Sequence, residues 1–337
     1  MSGMRIAAAR LWLPECRESA DQAVAQGLAD RQEVERDGYL ELPVSHDLGA
    51  PEMAVHAAGQ ALGDAGVSPE SVDFLAHAWI YHQGHDFWSP AHYVAAGVAA
   101  LRAIPLGIQQ MCNGGVAAVQ VAMDRMAADP SLGTAVVTTA DRFAAPAFKR
   151  WRADYGVAYG DGATALVLDR EHGPYTVESI TTAAAPELER MHRGDDAFSA
   201  SAREHGADID IRRTKKAFLT AGGGPRFTAA VADAIRTVVI QALETAGIGP
   251  GEPALRYIAL PRLGRSVLAQ AYLPALYKLT RAEPLDLGRT TGHLGAGDAA
   301  ANIAQIHTGR LLLPGQYALI LSAGAGFTWS CLDIRAG

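Results

Sequence analysis

The chain has 337 residues, of which 49% are hydrophobic, 19% charged and 7% aromatic. That balance excludes intrinsic disorder, which combines low hydrophobicity with high net charge. The net charge of −7 argues against nucleic acid as the main partner, because such surfaces are usually basic. Cys16, Cys112 and Cys331 are too few for a disulfide scaffold and fit a reducing cytoplasm. Ile6–Ala9 is too short for a signal-peptide core, and no apolar run approaches the ~18 residues of a membrane span. A cytoplasmic, soluble globular protein is expected.

In chain order, Met53, Val55, Ala58 and Leu62 trace an amphipathic helix. It stops at Gly66 with Pro69 beyond, as helix C-termini do. A short strand over 73–76 follows. His77, His82, His85 and His92 come next, but apart from Asp86 no Cys or carboxylate accompanies them at a known ligand spacing. No metal is expected there; a surface or pocket-wall role beside Trp79, Phe87 and Trp88 is. An extended run over 104–111 leads to Cys112, a helix over 114–127, a strand over 134–139, and a Gly-rich turn and strand over 159–168. Residues 171–225, polar through Glu187–Lys216, read as an insertion or cap ending in the turn Ala221-Gly222-Gly223-Gly224-Pro225.

The pattern then repeats. Gln-Ala-Leu-Gly-Asp-Ala-Gly-Val-Ser-Pro at 60–69 reappears as Gln-Ala-Leu-Glu-Thr-Ala-Gly-Ile-Gly-Pro at 241–250, identical at six of ten positions and offset by 181 residues. The second copy also ends an amphipathic helix (Ala234, Val238, Ile240, Leu243), stops at a Gly and precedes a strand over 256–259. Cys112 lies 46 residues after Gly66, and His293 lies 46 residues after Gly247. Each opens a Gly- and Ala-rich helical segment leading into a strand and then a Gly-rich turn and strand. Such an ordered series indicates an internal duplication. Helices alternating with strands in each half imply mixed α/β layers packed as a pseudo-dimer: one half over 1–170, an insertion over 171–225 and a second half over 226–337.

Equivalent positions can face each other across a pseudo-two-fold axis, which would bring Cys112 to His293. Cys112 precedes a helix whose N-terminal partial charge and free N–H groups favour a thiolate nucleophile. Local sequence also leaves open that it is a small buried hydrophobe. His293 lies in a Gly-rich turn, with Asp298 five residues on. The two meet only if Asp298 occupies the first helical turn; it would then orient a general base or, alternatively, simply cap the helix. Cys16 and Cys331 are expected to have no chemical role.

Four stretches carry a resemblance: Cys-x-Gly-Gly at 112–115, Tyr-Gly-Asp-Gly-Ala at 159–163, the Gly-rich turn over 292–297, and Gly-Ala-Gly-Phe-Thr-Trp at 324–329. With them the chain resembles, over nearly its whole length, the ketoacyl-ACP synthase III group of the thiolase-like superfamily. The resemblance implies a five-layered αβαβα fold and a homodimer. Condensing members use Cys, His and Asn. Here Pro261 stands in the His place and His293 in the Asn place, and the second Arg of the family's Arg-Thr-Gly-Ile-x-x-Arg stretch is missing from 36–42.

Carbanion chemistry thus loses a donor, while deprotonation of an alcohol gains a base. The arrangement is similar to ketoacyl-synthase-III-like acyltransferases of antibiotic biosynthesis, such as the cervimycin-pathway malonyltransferase, which form C–O bonds. The resemblance implies Cys112 as acyl carrier, His293 as base and Asp298 as its partner. It also implies an oxyanion hole from the backbone N–H groups of Cys112 and Ala325, room above Cys112 at Ala323, and Phe87 or Trp88 lining the acyl pocket, of this or a partner subunit. His192 is a further residue of the insertion that could reach the site. The donor would be an acyl-CoA or acyl-carrier protein, the acceptor a hydroxylated small molecule, with no tightly bound cofactor. Three other readings stand beside it: a condensing enzyme forming C–C bonds, a thioesterase using water, and a non-catalytic scaffold.

Overall fold

The computed structural model describes residues 4–337. Its first half contains strands β1 (Arg5–Trp12), β2 (Phe74–Ala78), β3 (Ile104–Ile108), β4 (Thr134–Asp141) and β5 (Gly162–Asp169). Its three longest helices are α1 (Ala50–Ala65), α2 (Pro90–Gly97) and α3 (Gly114–Ala128). The second half contains β6 (Tyr175–Ala184), β7 (Leu255–Ala259), β8 (Glu283–Leu285), β9 (Tyr317–Gly324) and β10 (Thr328–Ala336). Between β6 and β10 lie α4 (Ile211–Thr220), α5 (Gly224–Ala246), α6 (Leu273–Leu279) and α7 (Asp298–Thr308).

These ten strands form one sheet in the order β8-β7-β9-β10-β6-β1-β5-β4-β2-β3, and a separate two-stranded sheet pairs Arg17–Ser19 with Glu41–Pro43. Its halves repeat one pattern. In the first, β1–β5 and β5–β4 are antiparallel while β4–β2 and β2–β3 are parallel. In the second, β6–β10 and β10–β9 are antiparallel while β9–β7 and β7–β8 are parallel. The halves join across β1 and β6, where Arg5 pairs with Thr176 and Ile6 with Tyr175, and Val177 N–H donates to Met4 O at 2.8 Å.

Both faces of this sheet are covered, so its central strands read as continuous apolar runs rather than alternating ones. On one outer face Met53 and Leu62 of α1 pack with Leu75, Val136 and Val167. On the other outer face Val231, Ile235 and Val238 of α5 pack with Ile258, Leu319 and Leu321. Between the two half-sheets lie α3 and α7: Val116, Val119 and Ile303 share one core with Leu166 and Leu168 on one side and Ile320 and Leu332 on the other. The result is the five-layered αβαβα arrangement. α1 and α5 end at Gly66 and Gly247, both left-handed (φ 64° and 68°), the two glycines of the repeated decapeptide.

The stretch expected to be an insertion begins instead with a core strand. β6 pairs along its length with β10 and is the counterpart of β1. Its polar residues disguised it: Thr181, for example, turns its hydroxyl to Val238 O of α5 at 2.7 Å. The cap is therefore the shorter segment from Pro186 to Gly223, at whose end α5 starts.

One buried carboxyl is unusual. Both oxygens of Asp333, on β10, are sealed from water without a hydrogen-bond partner. Burial first, and Glu178 second, push this carboxyl up to about 7. An unfolded Asp ionises near ~4. Between those values the folded chain holds a proton the unfolded chain has released, so stability falls as pH rises through that window. Asp333→Asn is expected to raise the melting temperature by a few degrees at pH 8 and by little near pH 4. Thermal denaturation across that range checks this, and an equal gain at both pH values would refute it.

Candidate active site

Cys112 sits in the turn between β3 and α3, next to Met111, which holds φ at 48°. A Cβ on Gly115 would lie 2.5 Å from Ala296 O, so only glycine lets the α3 N-terminus press against the turn that opens α7. On the other side a Cβ on Gly324 would lie 2.7 Å from both Asn113 N and Gln110 O. The β9–β10 hairpin therefore packs against the Cys112 turn, and Ala323 and Ala325 line the same cavity as Cys112.

His293 is fixed first through its backbone. Its N–H donates to Ala158 O at 2.8 Å, and its carbonyl accepts from Gly160 N–H at 3.1 Å. Its ring then bridges two partners: Nδ1 lies 2.6 Å from Asp298 Oδ2, and Nε2 lies 2.9 Å from Cys112 Sγ, 181 residues away in sequence. Asp298 is the first residue of α7, as a meeting with His293 requires. Its Oδ2 also accepts from Arg262 N–H and its Oδ1 from Leu294 N–H, both at 2.8 Å. With the Nδ1 proton donated to this carboxylate, Nε2 presents a lone pair to the sulfur.

Both ring and carboxylate are buried. Burial alone would push the imidazole down, but Asp298 and Cys112 hold it well above its ordinary value. Burial likewise pushes the Asp298 carboxyl up, and His293 followed by Arg262 hold it below its ordinary value. Imidazole and carboxylate thus support each other's charged forms.

Arg262 is a site residue that motif reading missed. It is fully buried. Nε donates to Asn302 Oδ1 at 3.1 Å, and Nη1 donates to Thr291 Oγ1 at 2.7 Å and Leu287 O at 3.1 Å; Nη2 donates to Gln305. Burial pushes the guanidinium down only to about 10, so it stays charged at neutral pH. Its charge lies beside the Asp298 carboxylate, and each favours the other's ionised form. The one sequence cue was a lone Arg at the end of an apolar strand.

Asp141 also joins the two halves, accepting from Tyr81 N–H at 2.8 Å and from Ala296 N–H at 3.1 Å. Asp161, in the Tyr-Gly-Asp-Gly-Ala stretch, accepts from Ser45 N–H and Phe143 N–H at 2.9 and 2.8 Å. Its part is to hold loops in place.

Cys112 and His293 open into a cavity of about 900 Å³. Its walls come from α5 (Phe227, Val231), from Pro261 and Leu263, from Tyr272, from the hairpin (Ala323, Phe327), and from the cap (Met191, His192, Lys215). Phe87 and Trp88 do not line it. Phe87 stands fully exposed on the surface, and Trp88 packs beside His85 and Tyr93, so within one chain neither shapes the acyl pocket. The four histidines are dispersed. His77 is buried between Thr138 and Gln83, at 2.9 and 3.2 Å, while His92 contacts Ser89. Among the described residues no group of three or more His, Cys, Asp or Glu is arranged to hold a metal ion, and no helix is long and apolar enough to cross a membrane. Cys16 is exposed and Cys331 buried, both outside the cavity.

Duplicated α/β layers with a cysteine at the head of one central helix define a thiolase-like protein. The family model for 3-oxoacyl-[acyl-carrier-protein] synthase III matches residues 106–185. The structure superposes on the acyltransferase ChlB3 with a TM-score of 0.89 at 32% identity, covering 99% of this chain and 98% of that one. Synthase III of Aquifex aeolicus VF5 gives a TM-score of 0.80 at 20% identity, covering 99% of this chain and all of that one. AbyA1, a tetronic acid condensing enzyme, gives 0.80 at 21% with the same coverage. In sequence, the β-ketoacyl-[acyl-carrier-protein] synthase III of Streptococcus pyogenes serotype M5 (strain Manfredo) is 22% identical over 302 residues, 89% of each chain. The chain belongs to the ketoacyl-acyl-carrier-protein synthase III-like family of the thiolase superfamily.

Proposed function

We propose that the protein transfers an acyl group from a thioester, through an acyl-Cys112 intermediate, to a hydroxyl of a secondary metabolite. The observation that carries this reading is the unbroken line Cys112 Sγ–His293–Asp298, at 2.9 and 2.6 Å, in a chain with Pro261 where the resemblance puts a condensing enzyme's His. Pro offers no side-chain donor to an enolate.

The Cys112 thiol gives its proton to His293 Nε2, and the sulfur attacks the thioester carbonyl. Backbone N–H groups of Cys112 and Ala325 hold the oxyanion. The donor's C–S bond breaks and its thiolate takes the proton from the imidazolium. With the cysteine now neutral as a thioester, one of the two charges supporting the imidazolium is gone, and His293 is a base. It takes the proton of the acceptor hydroxyl while the oxygen attacks the acyl carbon, and Cys112 leaves. The donor is acyl-CoA or acyl-carrier protein, and a malonyl group moving to a sugar is one such pair. That a 32%-identical neighbour is described as an acyltransferase supports the reading.

The test follows intact mass with an isotope-labelled acyl thioester. The label should appear on Cys112 and pass to a hydroxylated acceptor. An adduct that instead condenses with malonyl-carrier protein, with loss of CO₂, overturns the reading in favour of C–C bond formation.

A homodimer is part of this proposal. β3 leaves one sheet edge unpaired, with Ile104 50% and Leu106 40% exposed, a surface that invites a second copy. Light scattering should give twice the 35.5 kDa of one chain; a mass of one chain overturns it.

A further inference from the structure

We infer that His192, with Lys215, forms a polar subsite that takes an acceptor oxygen carried on the transferred acyl group, beyond its thioester carbonyl. The inference rests on the acyl-transfer reading of Cys112 and deepens it to a substrate class: oxygen-bearing rather than plain alkyl acyl groups.

Both residues belong to the Pro186–Gly223 cap and line the cavity that holds Cys112 and His293. His192 Nδ1 is buried with no hydrogen-bond partner. A buried polar group left unpaired is expensive, so such groups are nearly always satisfied by protein, water or ligand. The ring stands 5.4 Å from Phe327, which in turn stands 5.2 Å from Phe227, so its surroundings on that side are aromatic and supply no partner.

Spare capacity in the neighbouring cluster sets the ligand's chemistry. Lys215 Nζ lies 2.6 Å from Asp154 Oδ1 and 2.8 Å from Oδ2. Asp154 also accepts from Tyr155 N–H at 2.7 Å and from the Tyr159 hydroxyl at 3.2 Å, so the carboxylate is well supplied. An ammonium has three N–H donors, and two are taken. Burial first, and then the Lys215 charge, hold the His192 imidazole down to about 4, so it is neutral at physiological pH and offers one N–H and one lone pair. The unused groups are therefore mostly donors, and an acceptor oxygen completes them. A saturated chain would seal them without a partner, which is the situation in which polar sites discriminate strongly. Tyr159 connects this subsite to the reaction centre: its hydroxyl is on Asp154, and its ring lies edge-on 5.3 Å from that of His293.

The experiment measures the rate of Cys112 acylation by intact mass, with butyryl, 3-hydroxybutyryl and succinyl groups presented both on CoA and on a carrier protein. It uses the wild-type protein and His192→Leu and His192→Gln, each shown to be folded by circular dichroism. The expected result is about 10- to 100-fold faster acylation by an oxygen-bearing group than by butyryl. That ratio should fall to near one in His192→Leu and be largely kept in His192→Gln. Preference for succinyl alone would identify the oxygen as a carboxylate, and preference for both as any acceptor. Equal rates in the wild type, an unchanged ratio in folded His192→Leu, or an effect confined to the later transfer step would overturn the subsite. Absence of any adduct from any thioester would instead defeat the acyl-transfer reading itself.

Discussion

Replacing His293 by Ala is expected to lower transfer to the acceptor by about 10²–10⁴-fold through loss of the general base alone. The contact of Nε2 with Cys112 Sγ adds a second expectation. Sequence reading alone predicts that this variant still acylates and fails only in transfer. In the proposed mechanism the imidazole also receives the thiol proton across this 2.9 Å contact, so acylation should slow as well. The two half-reactions can be read apart: single-turnover labelling of Cys112 reports the first, and decay of a preformed adduct with acceptor reports the second. Added imidazole should restore part of the second step, because deleting the ring leaves a space beside Asp298 into which it fits. A variant that transfers at the parent rate would remove His293 from the chemistry. One that acylates at the parent rate but does not transfer would confine His293 to the base role.

Much of this site was legible because it was written twice. The repeated decapeptide ends two outer helices, and helix ends obey the strong local rules of a left-handed Gly and a following Pro. Once the offset was known, Cys112 and His293 occupied equivalent points, and the duplication itself said they could meet. Asp298 followed from spacing, since a residue five positions on reaches the ring only from a first helical turn.

The residues that escaped are those whose surroundings come from elsewhere in the chain. Arg262 is a charged side chain in full burial, against every compositional expectation. It is tolerable only because Leu287, Thr291, Asn302 and Gln305 converge on it from the following two segments. β6 looked polar because its hydroxyls answer carbonyls of α5, which no local pattern reveals. Phe87 and Trp88 were assigned to the pocket by resemblance alone, and in one chain they face solvent instead.

Asp298→Asn separates orientation from charge and is expected to lower overall transfer by about 10²–10⁴-fold. The carboxylate holds the Nδ1 proton and turns Nε2 to the sulfur. An amide can donate to Nδ1 as readily as accept from it, which favours the tautomer that presents an N–H, not a lone pair, to Cys112. The charge effect runs in a definite direction. Asp298, ahead of Cys112, raises His293 against burial, so with the carboxylate gone the imidazole moves down. The imidazolium that pairs with the attacking sulfur is then less populated at neutral pH, and alkylation of Cys112 by iodoacetamide at pH 7 should slow. The acid limb of the transfer step, set by loss of neutral His293, should move to lower pH. Arg262 stays behind with its N–H toward an uncharged group and an unbalanced buried cation, so a loss of thermal stability accompanies the change. A purely structural role for Asp298 would lower the melting temperature yet leave the position of the acid limb where it was. Pre-steady-state rates across pH 5–9 distinguish the two, and an unmoved limb in a folded variant would show that Asp298 only caps α7.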